Sequence, residues 1–419
     1  MKVMRIISII SRIFVGIVFI FSGFVKIVDP LGSTYKFIDY FNAFHLGFLE
    51  VTALPFAILM SLAEFVIGIS LLIGLRMRQA AWAVLVFMVF FTILTFFLAL
   101  YNPVSDCGCF GDAWILTNWE TFYKNLIISS FVAVIFLYRK KYKALLSGRV
   151  EWLVVGIFSV FGLWISIYCY NHLPIIDFRP YKVGTNIAEG MTVPESEKNN
   201  VDVYETTLIY KKNGELKEFP LQNLPDSTWQ WVETKNKLLK EGYHPPIHNF
   251  SLSNQEGSDV TDIYLEDSNY TFLLVSYKLE TADKSRMNDI NAIYNWCLAN
   301  NVNFMCLTGS SFSKVEPYVK ETKAQYNFYN VDEITLKTMI RSNPGLILTK
   351  NSTVLAMWHY NDLPNASELK KDLLKNVTTK YREKIENMYL YNLILVFLLI
   401  STLVGIFTIF IRNRNRNCD

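Results

Sequence analysis

The chain has 419 residues, of which 52% are hydrophobic, 15% aromatic and only 18% charged, with a formal net charge of +3. Soluble domains carry about 25% charged residues, and at roughly 100–200 residues per domain the length calls for more than one domain. This composition excludes a soluble enzyme, a secreted disulfide scaffold and a disordered tail. The small net charge, with no basic patch interleaved with aromatics, argues against nucleic acid as a partner.

Six almost uncharged stretches, at 6–28, 54–75, 80–101, 122–138, 152–170 and 388–411, are each near the roughly 20 residues that cross a bilayer. The first is too long for the apolar core of a cleaved signal peptide and has no small-residue cleavage site before Lys26, so it reads as a retained span. Lys2, Arg5, Arg12, Arg76, Arg78, Arg139, Lys140, Lys141, Lys143, Arg149, Arg412, Arg414 and Arg416 all fall on one set of loops. Of the alternate short loops, 29–51 holds only Lys36 and 102–119 holds none. The positive-inside rule therefore predicts a multi-pass protein of the inner (cytoplasmic) membrane, with both termini cytoplasmic and the block 172–387 facing the periplasm.

Glu64 lies midway along the second stretch, in Ser61-Leu62-Ala63-Glu64-Phe65-Val66-Ile67-Gly68. A carboxylate at that depth is costly, which marks it as a functional candidate facing the bundle interior. It is either protonated or paired with Lys26, acting as a proton relay or as a contact for a quinone head. The competing reading is a helix–helix hydrogen bond beside the small residues Gly23 and Gly68.

Ser105-Asp106-Cys107-Gly108-Cys109-Phe110-Gly111-Asp112 fills the outward loop before the fourth stretch. Two thiols separated by one glycine can close a very small ring, and glycine permits the backbone angles that ring demands. Small-ring disulfides are strained and exchange readily, and the outward compartment is where disulfides form and are traded. Cys107 and Cys109 are thus predicted to be a redox-active pair, with Asp106 and Asp112 either hindering thiolate formation or, through one of them, accepting the proton. A structural loop clip is the competing reading. Ligation of a soft metal would need more ligands than the neighbouring His45 supplies, so no metal site is expected. Cys169, at the outer end of the fifth stretch, is a candidate resolving thiol or a packing residue. Cys297 and Cys306 read as buried, and Cys418 as cytoplasmic.

Beyond the fifth stretch, residues 172–200 read as an irregular linker, and 203–210 with 216–221 as a hairpin around Asn213-Gly214. There follow a strand at 271–277, a helix at 283–300, a strand at 302–307, a helix at 313–323, a short strand at 327–330 and a helical turn at 332–341. A hairpin (346–349 with 354–360) and a helix at 367–377 complete the series. Strands alternating with helices predict a parallel-type α/β sheet, here with a terminal antiparallel pair. The organisation is then a membrane domain at 1–145, a fifth span at 150–171, linker and hairpin at 172–240, an α/β domain at 241–380 and a sixth span at 388–411.

Phe21-Ser22-Gly23-Phe24-Val25-Lys26 with Pro30, Ala63-Glu64 with Gly68, Leu72 and Gly74, and the Cys-Gly-Cys-Phe-Gly loop resemble the DoxX-like superfamily over residues 1–145, and within it the MauE (methylamine utilisation) branch. The resemblance implies a four-helix membrane bundle. It also implies a role near disulfide-rich periplasmic proteins or, on the DoxX side, near quinone-linked oxidoreductases, with no link to methylamine carried over. Phe250-Ser251-Leu252, Glu256-Gly257, Val260-Thr261 and Asn343-Pro344-Gly345-Leu346-Ile347-Leu348 resemble a thioredoxin-like domain of the redoxin type, over about 240–380. That resemblance implies a cis-proline at Pro344. It departs where the Cys-x-x-Cys should follow the 271–277 strand, since the chain reads Lys278-Leu279-Glu280-Thr281-Ala282-Asp283-Lys284-Ser285. Without a thiol there, Asn343, Pro344 and Gly345 form either a surface for a client or a relic of the fold.

Three functions follow from these residues. The first is an inner-membrane thiol–disulfide redox protein, in which Cys107 and Cys109 exchange electrons with a periplasmic thiol/disulfide protein held by the thioredoxin-like domain. The second is a quinone-linked oxidoreductase subunit using Glu64. The third is a non-enzymatic envelope assembly factor with structural cysteines.

Overall fold

The computed structural model describes residues 2–142, 146–212, 214–221, 223–240 and 242–369. The predicted span at 388–411, Cys418 and most of the predicted helix at 367–377 lie outside the described residues. Within them, five helices are long and apolar enough to cross a membrane.

The membrane part runs α1 (Lys2–Val28), α2 (Pro30–Ala43), α3 (Ala53–Ile73), α4 (Met77–Tyr101), α5 (Asn118–Tyr138) and α6 (Gly148–Asn171). The sequence pattern predicts a loop where α2 lies. Its start signal is nonetheless present: the Asp29 carboxylate caps it by accepting from the Gly32 N–H at 2.9 Å, and Pro30 occupies the first turn, where its missing N–H costs nothing. α5 begins earlier than predicted because Thr117 and Glu120 form a reciprocal capping box.

α1 and α3 approach closely through glycine. A Cβ added at Gly23 would lie 2.5 Å from the Phe65 backbone nitrogen, and one at Gly68 would lie 2.6 Å from that of Ile20. Small residues at such a contact let two apolar helices reach van der Waals packing where no hydrophobic drive separates them from lipid.

The C-terminal part holds two sheets. β1 (Val203–Lys212) pairs antiparallel with both β2 (Glu215–Pro220) and β3 (Gln230–Lys240), in the order β2-β1-β3. β3 was not anticipated, because its Glu-Thr-Lys-Asn-Lys centre reads as loop. Between α6 and β1 lies the short helix α7 (Ile187–Met191). Residues 172–200 are more than a linker: Tyr181 and Ile187 are buried in the second core, and Ile187 and Val354 N–H groups bond Ser352 and Thr185 carbonyls.

The second sheet follows α8 (Thr261–Leu265). It contains β4 (Tyr270–Val275), α9 (Met287–Asn300), β5 (Asn303–Thr308), α10 (Val315–Thr322), β6 (Asn327–Asn330), α11 (Glu333–Met339), β7 (Gly345–Lys350) and β8 (Thr353–His359). Strand order is β6-β5-β4-β7-β8, with β4, β5 and β6 parallel and β7 and β8 antiparallel. Period-two alternation sends Phe272, Leu274, Leu346 and Leu348 into one core with α9 and α10. Leu273, Val275 and Ile347 enter the other core, with Leu336 and Met339 of α11. A cis peptide precedes Pro344. This is the thioredoxin-like arrangement.

Two predictions follow. Gly23→Val should force α1 from α3 and cost about 1–3 kcal/mol by overpacking, read as a lower unfolding temperature in detergent, whereas the same change at Gly156, where an added Cβ meets nothing within 4 Å, should not. His359 is buried, and its ring nitrogen accepts from the Asn361 N–H at 3.2 Å. Burial holds its imidazole down to about 4, against partial opposition from Asp362. The folded state therefore favours the neutral ring, so its contribution is intact above about pH 6.5 and is lost as pH falls toward 4. The unfolding temperature should drop across that window, and the drop should shrink in His359→Asn, which keeps an acceptor.

Candidate functional site

The loop between α4 and α5 carries a Cys107–Cys109 disulfide with Cα atoms 5.4 Å apart. Gly108 sits between them at φ +63°, a conformation that disfavours side chains, and the Lys36 stem lies where its Cβ would be. Each cysteine carbonyl is held by another helix. Tyr40 of α2 donates its hydroxyl to the Cys107 carbonyl at 2.6 Å, and Ser22 of α1 donates to that of Cys109 at 2.6 Å. The Asp106 carboxylate accepts from the Gly108 N–H at 2.8 Å and pairs with Lys36 at 2.6 Å. Asp106 is thus occupied in shaping the turn. Cys107 is buried while Cys109 is half-buried, so Cys109 is the more approachable residue.

A polar thread continues into the bundle. Lys26 donates to the Ser22 hydroxyl at 3.1 Å and to the Glu64 carboxylate at 2.7 Å, with Glu64 itself buried. Glu64, Lys26, Ser22 and the Cys109 carbonyl therefore form one connected series. Beside it lies a cavity of about 260 Å³ bordered by Cys107, Gly108 and Cys109, by Lys26 and Glu64, and by phenylalanines of α2 and α4.

The α/β domain docks on this same end. Arg341, buried just before the cis-proline, reaches across to the membrane part. Its guanidinium bonds both Asp29 oxygens at 2.8 to 3.0 Å and the Asp112 carboxylate at 2.7 Å. Burial raises the Asp29 carboxyl, but the two-pronged contact with Arg341 outweighs it and holds it below the usual range. For Asp112, burial wins and the carboxyl is raised. Tyr35 of α2 meets Tyr277 hydroxyl to hydroxyl at 3.3 Å, with Lys337 over both rings. On the other side, His172 contacts Asp362 at 2.9 Å.

Of the residues singled out from sequence, Cys107, Cys109, Asp106, Glu64 and Lys26 cluster around the loop and cavity, while Asp112 faces Arg341 and serves the docking. Pro344 and Gly345 are buried and offer a client no surface; Asn343 is partly exposed, and its side chain and carbonyl bond the Lys278 carbonyl and the Asp283 N–H. Cys169 is buried in the core shared by α1, α3 and α6. Cys297 and Cys306 are buried under the sheet, where burial pushes the Cys297 thiol up to about 12 and the Cys306 thiol higher. Sequence reasoning missed Ser22, Tyr40, Asp29 and Arg341. Only Asp29 carried a local signal, as the cap of α2.

Residues 4–139 match the family described as methylamine utilisation protein MauE. Residues 204–241 match a family described as a domain of unknown function, DUF8463. Among the curated proteins none matches. Solved structures similar to this chain include a secreted Mycobacterium tuberculosis disulfide oxidoreductase homologous to E. coli DsbE, at 11% identity over 32% of this chain and 96% of that one, with a TM-score of 0.23. StoA from Bacillus subtilis is similar at 15% identity over 29% and 92%, TM-score 0.23. Arabidopsis thaliana ScoI with copper bound is similar at 15% over 32% and 96%, TM-score 0.23. These likenesses are of fold.

Replacing Arg341 by Leu leaves two half-buried carboxylates with only Arg179 nearby and should cost about 1–3 kcal/mol. Protease susceptibility of the α/β domain and the unfolding temperature of the full chain read the loss, and adding Asp29→Asn with Asp112→Asn should restore part of it. An unchanged single variant would show that the contact does not hold the domains together.

Proposed function

We propose that this chain is a membrane thiol–disulfide redox protein whose working bond is Cys107–Cys109. The observation that carries the reading is a disulfide closed over one glycine, held by its carbonyls from α1 and α2 and bordering a cavity in a lipid-embedded bundle. A dithiol protein at the outer face of the cytoplasmic membrane supplies the electrons. Its thiolate attacks one sulfur, forming a mixed disulfide and releasing the other cysteine as a thiolate; its second thiol then displaces the first, leaving Cys107 and Cys109 reduced and the partner oxidised. Near the loop Lys36 is paired with Asp106 and Lys26 with Glu64, which leaves Lys124, over the Phe110 ring, as the cation that favours a departing thiolate. The α/β domain has no cysteine in the segment after β4, so it acts by position, anchored through Arg341 beside the loop.

The burial of Cys107 supports a second reading, in which the disulfide is a clip in an assembly factor. One experiment separates the two. Cys107→Ser leaves the more approachable Cys109 free, and it should accumulate mixed disulfides with envelope proteins in vivo, seen as reductant-sensitive bands. The wild-type pair should cycle between alkylatable and protected forms when external reductant is added and withdrawn. Absence of both, with full complementation by the double serine variant, would establish the clip.

A further inference from the structure

The edges of the two sheets are finished differently. In the five-stranded sheet, bridges from Asn186 and Ser253 partly cover the outer strands β8 and β6. In the three-stranded sheet, β2 is only 6 residues long, carries Glu215, Lys217 and Glu218, and ends on Pro220, features that deter a further strand. β3 lacks that protection. It runs for 11 residues without a proline, β1 holds its inner side in unbroken register from Glu233 to Leu238, and among the described residues nothing pairs with its outer side. Trp231, Val232 and Leu239 are exposed along it.

A lysine on an edge strand ordinarily repels a partner. The exposed run Glu233-Thr234-Lys235 reverses that for one partner, a second copy of the same strand. When two such strands pair antiparallel about a two-fold axis at Thr234, position 233 of each lies opposite position 235 of the other, with both side chains on one face. Each Glu233 then faces a Lys235, twice over, and the two threonines meet on the axis; opposite charges and threonine pairs are both favourable across strands. Moving the axis to Glu233 or to Lys235 sets like charge on like, so the sequence selects one register. Glu218 of β2 already reaches across β1 to Lys235 at 3.0 Å, so in the pair each ammonium lies between two carboxylates.

We propose that β3 is a self-association edge: two copies of this chain pair antiparallel about Thr234 and join their three-stranded sheets into one of six strands. The helices anchor every copy in a bilayer, and that confinement raises the effective concentration at which a short edge meets its twin. The pairing gives a role to residues 204–241, the segment that matches a family without a described function. It stands independently of the thiol exchange proposed above.

The test uses the full chain in membranes, with Cys418→Ser to remove a competing thiol. Under mild oxidation Thr234→Cys should cross-link to a covalent dimer, whereas Lys217→Cys on the β2 edge should not. Dimerisation of the chain without added cysteines is measured in liposomes, by energy transfer between donor- and acceptor-labelled copies at graded lipid dilution. Glu233→Lys and Lys235→Glu each turn both cross-strand contacts into like-charge pairs and should weaken the dimer about tenfold. Combining the two substitutions re-creates opposite pairs and should recover most of the loss, which also shows that the single variants fold. Equal cross-linking at 217 and 234, a chain that stays monomeric at every dilution, or a dimer indifferent to the single reversals overturns the proposal. Cross-linking of Thr234→Cys to a different protein in place of its twin overturns it as well, and makes β3 a docking edge for another chain.

Discussion

The molecule is organised around one arginine taken out of water. Arg341 leaves the α/β domain just ahead of its cis-proline and ends between Asp29, which caps α2, and Asp112, which closes the cysteine loop. A guanidinium suits this position better than an ammonium, because its planar fork meets both oxygens of one carboxylate while another N–H reaches the second. Arg179, also buried, lies near the same two carboxylates and is itself paired with Asp177. Two buried cations thus face three half-buried carboxylates in one cluster. Such clusters add little net stability over apolar packing, but they tolerate one arrangement and penalise the others. Here that arrangement fixes where the α/β domain stands on the bundle.

The helix between the two parts transmits this fixing to the sulfurs. From one stretch of α2, Tyr35 faces the α/β domain, Lys36 braces Asp106 and Gly108, and Tyr40 holds the Cys107 carbonyl. Lys36 and Tyr40, four residues apart, share the face toward the loop, while Tyr35, turned about 100° from Lys36, faces the domain, so one rigid element touches both. Ser22 and Lys26, one helical turn apart on α1, do the same from below and tie the loop to Glu64.

The amino-acid pattern made much of this architecture legible. The spans declare themselves by length and lack of charge, and the β4-to-β8 series by alternating strand and helix periods with turn residues between. Glu64, Lys26 and the Cys-Gly-Cys run are visible because their residue types are out of place in a membrane or close a ring. Tyr40, Ser22 and Arg341 are ordinary residues in ordinary local settings. Their importance comes from partners far along the chain, such as the 87 positions separating Ser22 from Cys109 and the 312 separating Arg341 from Asp29. No local pattern encodes a contact of that kind. β3 escapes for a different reason: among the described side chains of its sheet Ile209 is the buried apolar one, which imposes little alternation on the sequence.

The segment bonded along β8 bears on how the α/β domain meets other proteins. Asn186 bridges to Thr353 on the outermost strand at one margin of the five-stranded sheet, and Ser253 bridges to Asn330 at the opposite margin. Both free rows of backbone donors and acceptors are thereby partly covered by the chain's own polypeptide. An extended peptide cannot simply extend the sheet by adding a further strand there, which also guards the domain against self-association through unpaired edges. A protein that approaches this domain therefore meets the side chains of its loops and helices and not an open backbone edge.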